Sequence, residues 1–327
     1  AGVKVALTYP NPPPLPRPVI GAVKRINLDL DTFFANCPLR ARLDGADVYH
    51  IPAQTMAPLL RFQRFPGPAV VTVLDIIPYL VRGDRRLDTS RHAVERLFYR
   101  LALDGLKRAD ALIAISEYTK RTLIEALGLP EERIHVSYPA VDHERFRPLD
   151  VPDSLRARFG LDPEGRTILY VGSDDPRKNL PVLLHAFAEV RQQLSDVKLL
   201  LAGSSQFPGE RQRLAELAET LGLLRQVQFL ERVADEELPL LYNMADVLAM
   251  PSLYEGFGLP VAEAMACGTP VVCSNATSLP EVAGSAALLV SPHDVEGLAA
   301  ALLRTLTQGD LAEEMRRRGL IQAAGFT

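Results

Sequence analysis

Short apolar runs alternate with amphipathic stretches along almost the whole chain. The runs suited to buried parallel strands lie at 3–9, 46–51, 69–75, 111–116, 133–139, 167–173, 197–203, 227–233, 246–252, 270–274 and 287–291. Apolar positions at helical spacing separate many of these runs, at about 117–127, 179–194, 208–222, 235–243, 260–267 and 294–306. Buried strands that alternate with helices are typical of α/β folds with parallel, doubly wound sheets.

One region interrupts this alternation. Residues 141–165 contain three prolines and a dense group of charged residues. A chain of 327 residues is also longer than most single domains. We therefore predict two Rossmann-like domains, 1–150 and 151–327, with a boundary near Asp150 and a cleft between them. Open α/β sheets bind ligands at the carboxyl ends of their strands, so we expect the functional site there.

Composition excludes several classes of protein. With 47% hydrophobic and 23% charged residues the chain is not expected to be disordered, and no apolar run reaches the roughly 18 residues of a membrane span. The first residues lack the apolar core of a secretory signal. Cys37, Cys267 and Cys273 form no CxxC pair, and the six histidines show no HExxH spacing. We therefore expect no disulfide framework, no metal site, no bound cofactor and a cytoplasmic location.

Charge is divided unevenly along the chain. Residues 1–150 contain 21 Lys and Arg against 17 Asp and Glu, whereas residues 151–327 contain 15 against 23. Within the basic half, the segment 82–108 has eight basic and four acidic residues. Such a segment is usually a solvated helix that packs on its own sheet, and the alternative is peripheral contact with an anionic membrane or acceptor. The sequence pI of about 5.9 argues against nucleic-acid binding.

The first candidate site lies at 170–179, where a strand ends at Gly172 and Ser173 and a helix is expected to begin near Arg177 and Lys178. A helix start presents free N–H groups, Arg offers a planar fork and Lys a compact charge, so the segment suits a diphosphate. Neither GxxxxGK[ST] nor GxGxxG is present. The alternative is an exposed basic pair with no ligand.

The second candidate site lies at 251–268. Pro260 suits the first turn of a helix and Gly268 the position past its end, so the helix should begin near Leu259. Glu255 precedes this start, and Glu263 falls about one turn inside the helix. Carboxylates can accept hydrogen bonds from sugar hydroxyls, so both residues are candidate sugar ligands. The alternative for Glu263 is an acidic residue that only stabilises the helix through its dipole.

Glu255 and Glu263 have the E-x7-E spacing of the retaining nucleotide-sugar glycosyltransferases of family 4, which the chain resembles. The same order of motifs as in that family follows in segments 109–120, 138–146, 177–179, 255–258 and 279–282. The resemblance covers roughly residues 69–327. It implies the GT-B fold of two Rossmann-like domains and transfer of a mannose- or glucose-type hexosyl group from a GDP- or UDP-linked donor.

The resemblance also implies individual roles. Arg177 and Lys178 would neutralise the donor diphosphate, Glu263 would bind the ribose, and Glu255 would contact the transferred sugar. The residues implied as donor contacts are Gly172, Ser173, Arg177, Lys178, Arg232, Val233, Glu255, Gly256, Phe257, Gly258, Leu259 and Glu263. Asp75 would be a catalytic group at a strand end, and Ser116 would lie on the side of a glycan, lipid-linked or small-molecule acceptor. No metal would be needed.

One departure from the family pattern affects activity. A His commonly precedes the residue that corresponds to Asp75, and Leu74 stands there instead. Leucine cannot form a hydrogen bond with the transferred sugar, so the donor differs, another group substitutes, or activity is impaired. Two alternatives to a transferase follow: a sugar-nucleotide epimerase of the same two-domain shape, and a non-catalytic nucleotide-sugar-binding or scaffold protein.

Overall fold

The chain forms two compact units, 1–137 and 138–327, and each is described by itself. In this computed structural model, the described residues are 5, 40–43, 45–88, 93–162, 164–205, 207, 209–231 and 233–327. The strand predicted at 3–9 and the cysteine at position 37 lie outside them.

The described part of the first unit contains a parallel sheet of order β1-β2-β3-β4. Its strands are β1 Tyr49–Ile51, β2 Ala69–Val73, β3 Ala111–Ala114 and β4 Ile134–Val136. Its α-helices are α1 Leu59–Phe62, α2 Ile77–Leu80, α3 Ala93–Leu106 and α4 Glu117–Leu127, and 3-10 turns cover Gln54–Met56 and Glu131–Arg133. The buried core joins alternate residues of β2 and β3 to α3, which explains why these strands are apolar.

The second unit is built on a parallel sheet of order β10-β9-β8-β5-β6-β7. Its strands are β5 Arg166–Val171, β6 Val197–Ala202, β7 Val227–Leu230, β8 Val247–Met250, β9 Val271–Ser274 and β10 Leu288–Val290. Its helices are α5 Asp153–Arg158, α6 Leu180–Gln193, α7 Glu210–Thr220, α8 Leu238–Met244, α9 Leu259–Ala266, α10 Leu279–Ala283, α11 Val295–Thr307 and α12 Gly309–Ala323, with a 3-10 turn at Pro176–Lys178. Every residue of β8 and β9 is buried, as expected for a sheet covered on both faces.

Both units are therefore α/β units with parallel sheets, which confirms the predicted fold class. The chain order reverses next to β5, which has β8 on one side and β6 on the other. In open α/β sheets this switch point is where a crevice forms at the carboxyl ends of the strands. The loops after β5, β6 and β8 are therefore the ones to examine.

Residues 138–150 belong to the second unit in the structure, although the sequence analysis assigned them to the first domain. The backbone N–H of Val141 donates to Phe326 O at 3.0 Å, and that of Leu149 donates to the Asn243 side chain at 2.8 Å. These bonds join positions far apart in the chain. The amino-terminal part of segment 141–165, which suggested a domain boundary, is thus hydrogen-bonded to the rest of the second unit.

Candidate functional site

The carboxyl ends of β5 and β6 approach each other closely at two glycines. Gly172 and Gly203 have φ angles of +153° and +148°, and a Cβ built on Gly203 would lie 1.9 Å from Gly172 O. No side chain fits at position 203. The Tyr170 hydroxyl donates to Ser173 O at 2.7 Å and holds the loop that follows. Burial, then the charge of Glu255, raises the pKa of Tyr170 well above its ordinary value, so its hydroxyl stays a donor.

Arg177 and Lys178, at the end of the 3-10 turn, have different partners. The Arg177 guanidinium donates to Asp175 Oδ2 from Nε at 2.8 Å and from Nη2 at 2.5 Å, and Asp175 is buried. Lys178 Nζ instead donates to both carboxylate oxygens of Glu255, at 2.7 and 2.9 Å. Arg177 is thus folded back on its own turn, whereas Lys178 joins the first candidate segment to the second.

Glu255 lies in the loop after β8 and is 8% exposed. Besides Lys178, the Ser252 hydroxyl donates to its Oε1 at 2.8 Å, and its backbone N–H donates to Thr277 Oγ1 at 3.1 Å. The Ser278 hydroxyl donates to the backbone oxygens of Glu255 and Phe257, at 3.0 and 2.8 Å. These three hydroxyl residues were missed in the sequence analysis. They fix the backbone and the carboxylate of the loop at once.

Helix α9 begins at Leu259, as Pro260 and the glycines before it predict. Gly258 has φ +108°, and a Cβ there would lie 2.6 Å from the side chain of Leu279, so the loop enters the helix by a path open to glycine. Phe257 is buried against the rings of Tyr138 and Phe326. The amino-terminal end of α9, where the helix dipole is positive, therefore follows directly on the Glu255 loop.

Glu263 lies in the second turn of α9 with a partner of its own. Tyr242 Oη donates to Glu263 Oε2 at 2.7 Å. Burial raises the pKa of Glu263, while the Tyr242 hydrogen bond and the Arg145 charge oppose that shift. The structure therefore gives the two glutamates of the E-x7-E spacing separate partners, Lys178 for the first and Tyr242 for the second.

One cation near the carboxyl end of β6 was also missed. Arg211, in the first turn of α7, donates from Nη2 to Gly203 O at 2.8 Å and stacks over the Phe229 ring at 5.0 Å. Its Nε lies 3.7 Å from Asp174 Oδ2, and the Asp174 side chain is wholly buried. Of the two residues predicted beside the base, Arg232 lies outside the described residues, and Val233 is half-buried three positions after β7 ends.

Two further predicted residues lie in the first unit. Asp75 follows β2, and its Oδ1 accepts the N–H of Ile77 at 2.9 Å, at the start of α2. Leu74 beside it is 43% exposed, and its N–H donates to the buried Gln54 side chain. Ser116 is fully buried and caps α4, because its Oγ accepts the N–H of Thr119 at 2.9 Å. The predicted helix at 117–127 is confirmed, and the acceptor-side role of Ser116 stays a prediction.

Family models match both units. Residues 152–321 match the model described as "Glycosyl transferases group 1", and residues 1–145 match the one described as "Glycosyltransferase Family 4". The chain belongs to the group 1 glycosyl transferases. The resemblance drawn from the motifs is thus confirmed at the level of the family.

The chain is similar in sequence to one mannosyltransferase and in fold to two solved structures. It is 34% identical over 267 residues to the serotype-specific mannosyltransferase WbdA of Escherichia coli. This alignment covers 80% of this chain and 32% of WbdA. Sucrose-phosphate synthase from Thermosynechococcus elongatus aligns with a TM-score of 0.73 and 25% identity, over 95% of this chain and 76% of that one. Anabaena HepE in complex with UDP-glucose aligns with a TM-score of 0.72 and 24% identity, over 86% of this chain and 74% of HepE. The chain spans about one third of WbdA.

The second unit also has a cavity away from Lys178 and Glu255. This cavity of about 360 Å³ opens at the amino ends of β5 and β6, where Arg166 and Lys198 line it together with carboxylates. It lies at the opposite edge of the sheet from Gly172, so it is not where a parallel α/β sheet binds its ligand. Among the described residues, no group of three His, Cys, Asp or Glu is arranged to hold a metal ion, and no helix is long and apolar enough to cross a membrane.

Proposed function

We propose that this protein is a retaining, metal-independent hexosyltransferase that moves a mannose- or glucose-type sugar from a GDP- or UDP-linked donor to a glycan, lipid-linked or small-molecule acceptor. The observation that carries the proposal is the ion pair of Lys178 and Glu255 at the carboxyl end of the second sheet. It sets a cation suited to a phosphate beside a carboxylate suited to sugar hydroxyls.

In the proposed reaction, the bond between the anomeric carbon and the β-phosphate oxygen breaks. The acceptor oxygen bonds to the same carbon on the same face, and its proton passes to the departing phosphate. Lys178 and the positive end of the α9 dipole neutralise the charge that grows on the leaving group, which is often the largest single contribution to such catalysis. Glu255 holds the transferred sugar.

The remaining donor contacts follow from the same placement. Gly172 and Ser173 offer backbone close to the diphosphate, and Arg177 would exchange Asp175 for phosphate oxygens. Glu263 would bind the ribose hydroxyls, and Arg232 and Val233 would lie beside the base. HepE, which was solved in complex with UDP-glucose, supports a nucleotide sugar, and the mannosyltransferase WbdA supports a mannosyl donor.

Acceptor binding is assigned in this proposal to the first unit, with Asp75 as a catalytic group after β2. Ser116 is fully buried, so it would serve the acceptor side only by fixing the start of α4. The described residues of the first unit's basic segment 82–108 include exposed arginines at 82, 85, 86, 96 and 100 and the exposed Leu97. We propose that this segment makes peripheral contact with an anionic membrane or a phosphorylated lipid acceptor on the cytoplasmic side. Flotation with anionic vesicles should be lost at high salt, and flotation that does not depend on salt would refute the electrostatic contact.

One observation favours a second candidate function. Leu74 presents an apolar, half-exposed side chain where the family pattern has a histidine. A non-catalytic nucleotide-sugar-binding protein would tolerate that exchange. The two functions differ in one measurable quantity, since a binder takes up the nucleotide sugar but releases no nucleotide above background.

The test has two stages. A thermal-shift panel of UDP, GDP and their glucose and mannose conjugates identifies the donor, because ligands of the folded state raise the midpoint of unfolding. Nucleotide release with candidate acceptors is then measured for Lys178→Ala and for Lys198→Ala, a matched loss of charge at the amino end of β6. We expect release to fall at least about a hundredfold in Lys178→Ala alone. Equal activity in the two variants would refute the assigned role of Lys178.

A further inference from the structure

Tyr242 has no role in the proposed reaction, yet it is the described residue that contacts the Glu263 carboxylate. It lies on α8 and is fully buried. Its hydroxyl donates to Glu263 Oε2 at 2.7 Å, across 21 positions of sequence. A buried phenol needs a hydrogen-bond partner, and a carboxylate is a strong one.

The position of the Tyr242 hydroxyl is fixed by its surroundings. The Phe146 ring packs against the Tyr242 ring with centroids 6.0 Å apart and planes at 66°. The Tyr242 backbone oxygen accepts the Thr269 hydroxyl at 2.7 Å, which ties α8 to the segment after α9. Burial and the Glu263 carboxylate keep the pKa of Tyr242 well above its usual range, so the group remains a donor. The ring packing and the backbone hydrogen bond therefore hold the Tyr242 hydroxyl in a fixed position.

This donor leaves half of the carboxylate available. Oε2 of Glu263 is engaged by Tyr242, while no hydrogen bond to Oε1 is present among the residues that the structure describes. A glutamate side chain has several rotatable bonds, and its ordering costs conformational entropy. Holding one oxygen in advance removes that cost before a ligand arrives.

We propose that Tyr242 is a positioning residue for nucleotide recognition: by holding Oε2 of Glu263, it aims Oε1 at a ribose hydroxyl and so makes the protein select ribonucleotide donors. The proposal rests on the role of Glu263 as the ribose ligand in the proposed function. It adds that selectivity depends on a residue that does not touch the donor.

The experiment compares a ribonucleotide with its analogue that lacks the ribose hydroxyls. Dissociation constants for UDP and GDP, and for the 2′,3′-dideoxy form of each, are measured by calorimetry on the full chain and on Tyr242→Phe and Glu263→Gln. We expect Tyr242→Phe to weaken binding of the better-bound ribonucleotide about fivefold, because one glutamate side chain must then be ordered on binding, and to leave the dideoxy form unchanged. Added to Glu263→Gln, it should have little further effect.

Thr269→Val is the matched control, because it removes a buried hydrogen bond to the Tyr242 backbone without touching Glu263. We expect it to lower the midpoint of unfolding and to leave the ratio of the two dissociation constants as in the parent. The ratio is the dissociation constant of the dideoxy form divided by that of the ribonucleotide. If this ratio is unchanged in Tyr242→Phe but reduced in Glu263→Gln, the positioning role is overturned and the proposed function stands. A ratio unchanged in Glu263→Gln would overturn the ribose role itself, and a ratio that falls in Thr269→Val would show a merely structural effect.

Discussion

Replacement of Lys178 by methionine tests the central ion pair of the site. The Lys178 and Glu255 side chains are 18% and 10% exposed, and Nζ donates to both carboxylate oxygens. Loss of one partner leaves a largely buried carboxylate, which usually costs about 3–5 kcal/mol. We expect the lower end, about 3 kcal/mol, because the Ser252 hydroxyl still satisfies Oε1 and the pair is not fully dry.

For a unit of this size, that loss corresponds to a fall of about 6–12 °C in the melting temperature of the second unit, measured by calorimetry on the whole chain. Glu255→Gln removes the carboxylate charge, so the double variant should be less destabilised than the sum of the two single variants. The expected coupling is about 1–3 kcal/mol. Lys198→Met, which removes a lysine at the opposite sheet edge, should show no coupling with Glu255→Gln. Additivity of Lys178→Met and Glu255→Gln within about 0.5 kcal/mol would refute the pair.

Three more outcomes follow from single sites. Gly203→Ala should destabilise the second unit by about 2–4 kcal/mol in thermal unfolding, because its Cβ would meet a backbone oxygen, whereas Gly222→Ala has open space and should cost about 1 kcal/mol; equal losses would contradict the close approach. Burial raises the pKa of Glu263 in the folded state above its ordinary value of 4.5. Between pH 4.5 and that raised pKa, the folded state binds more protons than the unfolded state, so the contribution of Glu263 to stability falls as the pH rises. Glu263→Gln should therefore gain in melting temperature relative to the parent as pH rises from about 4.5, and a constant difference would contradict the shift. Leu74→His should raise nucleotide release with little change in melting temperature, because the side chain is half-exposed; unchanged release would show that the family histidine is not what limits activity.

Local signals explain what could be predicted from the sequence. Ser116 and Gly128 mark the ends of α4, and Pro260 marks the start of α9, because caps and prolines act within a few residues. The parallel strands were found because a sheet covered on both faces needs continuous apolar runs. These rules suffice to place Glu255 before a helix and Glu263 within it.

Long-range partners explain most of what could not be predicted. Helix α12 was missed because its buried stripe consists of Met315, Gly319 and Ala323, of which two are too small to give a strong apolar period. Gly319 suits a close approach to Met265 of α9, since a Cβ there would already lie 3.3 Å from that side chain. The need for a small residue therefore comes from α9, which no pattern within α12 itself shows.

The same limit applies to the charges of the site, with a consequence for how it binds. From the sequence, Arg177 and Lys178 are adjacent cations whose partners are not visible. In the structure, Arg177 donates to Asp175 and Lys178 donates to Glu255. Glu263 is likewise held by Tyr242. A protein that gathers buried charges for a ligand must stabilise them while the ligand is absent, and internal pairing does this. A bare diphosphate must then separate Lys178 from Glu255, whereas a nucleotide sugar offers a phosphate to one and hydroxyls to the other. If the site binds its donor as proposed, we expect the pairing to favour the intact nucleotide sugar over the bare diphosphate.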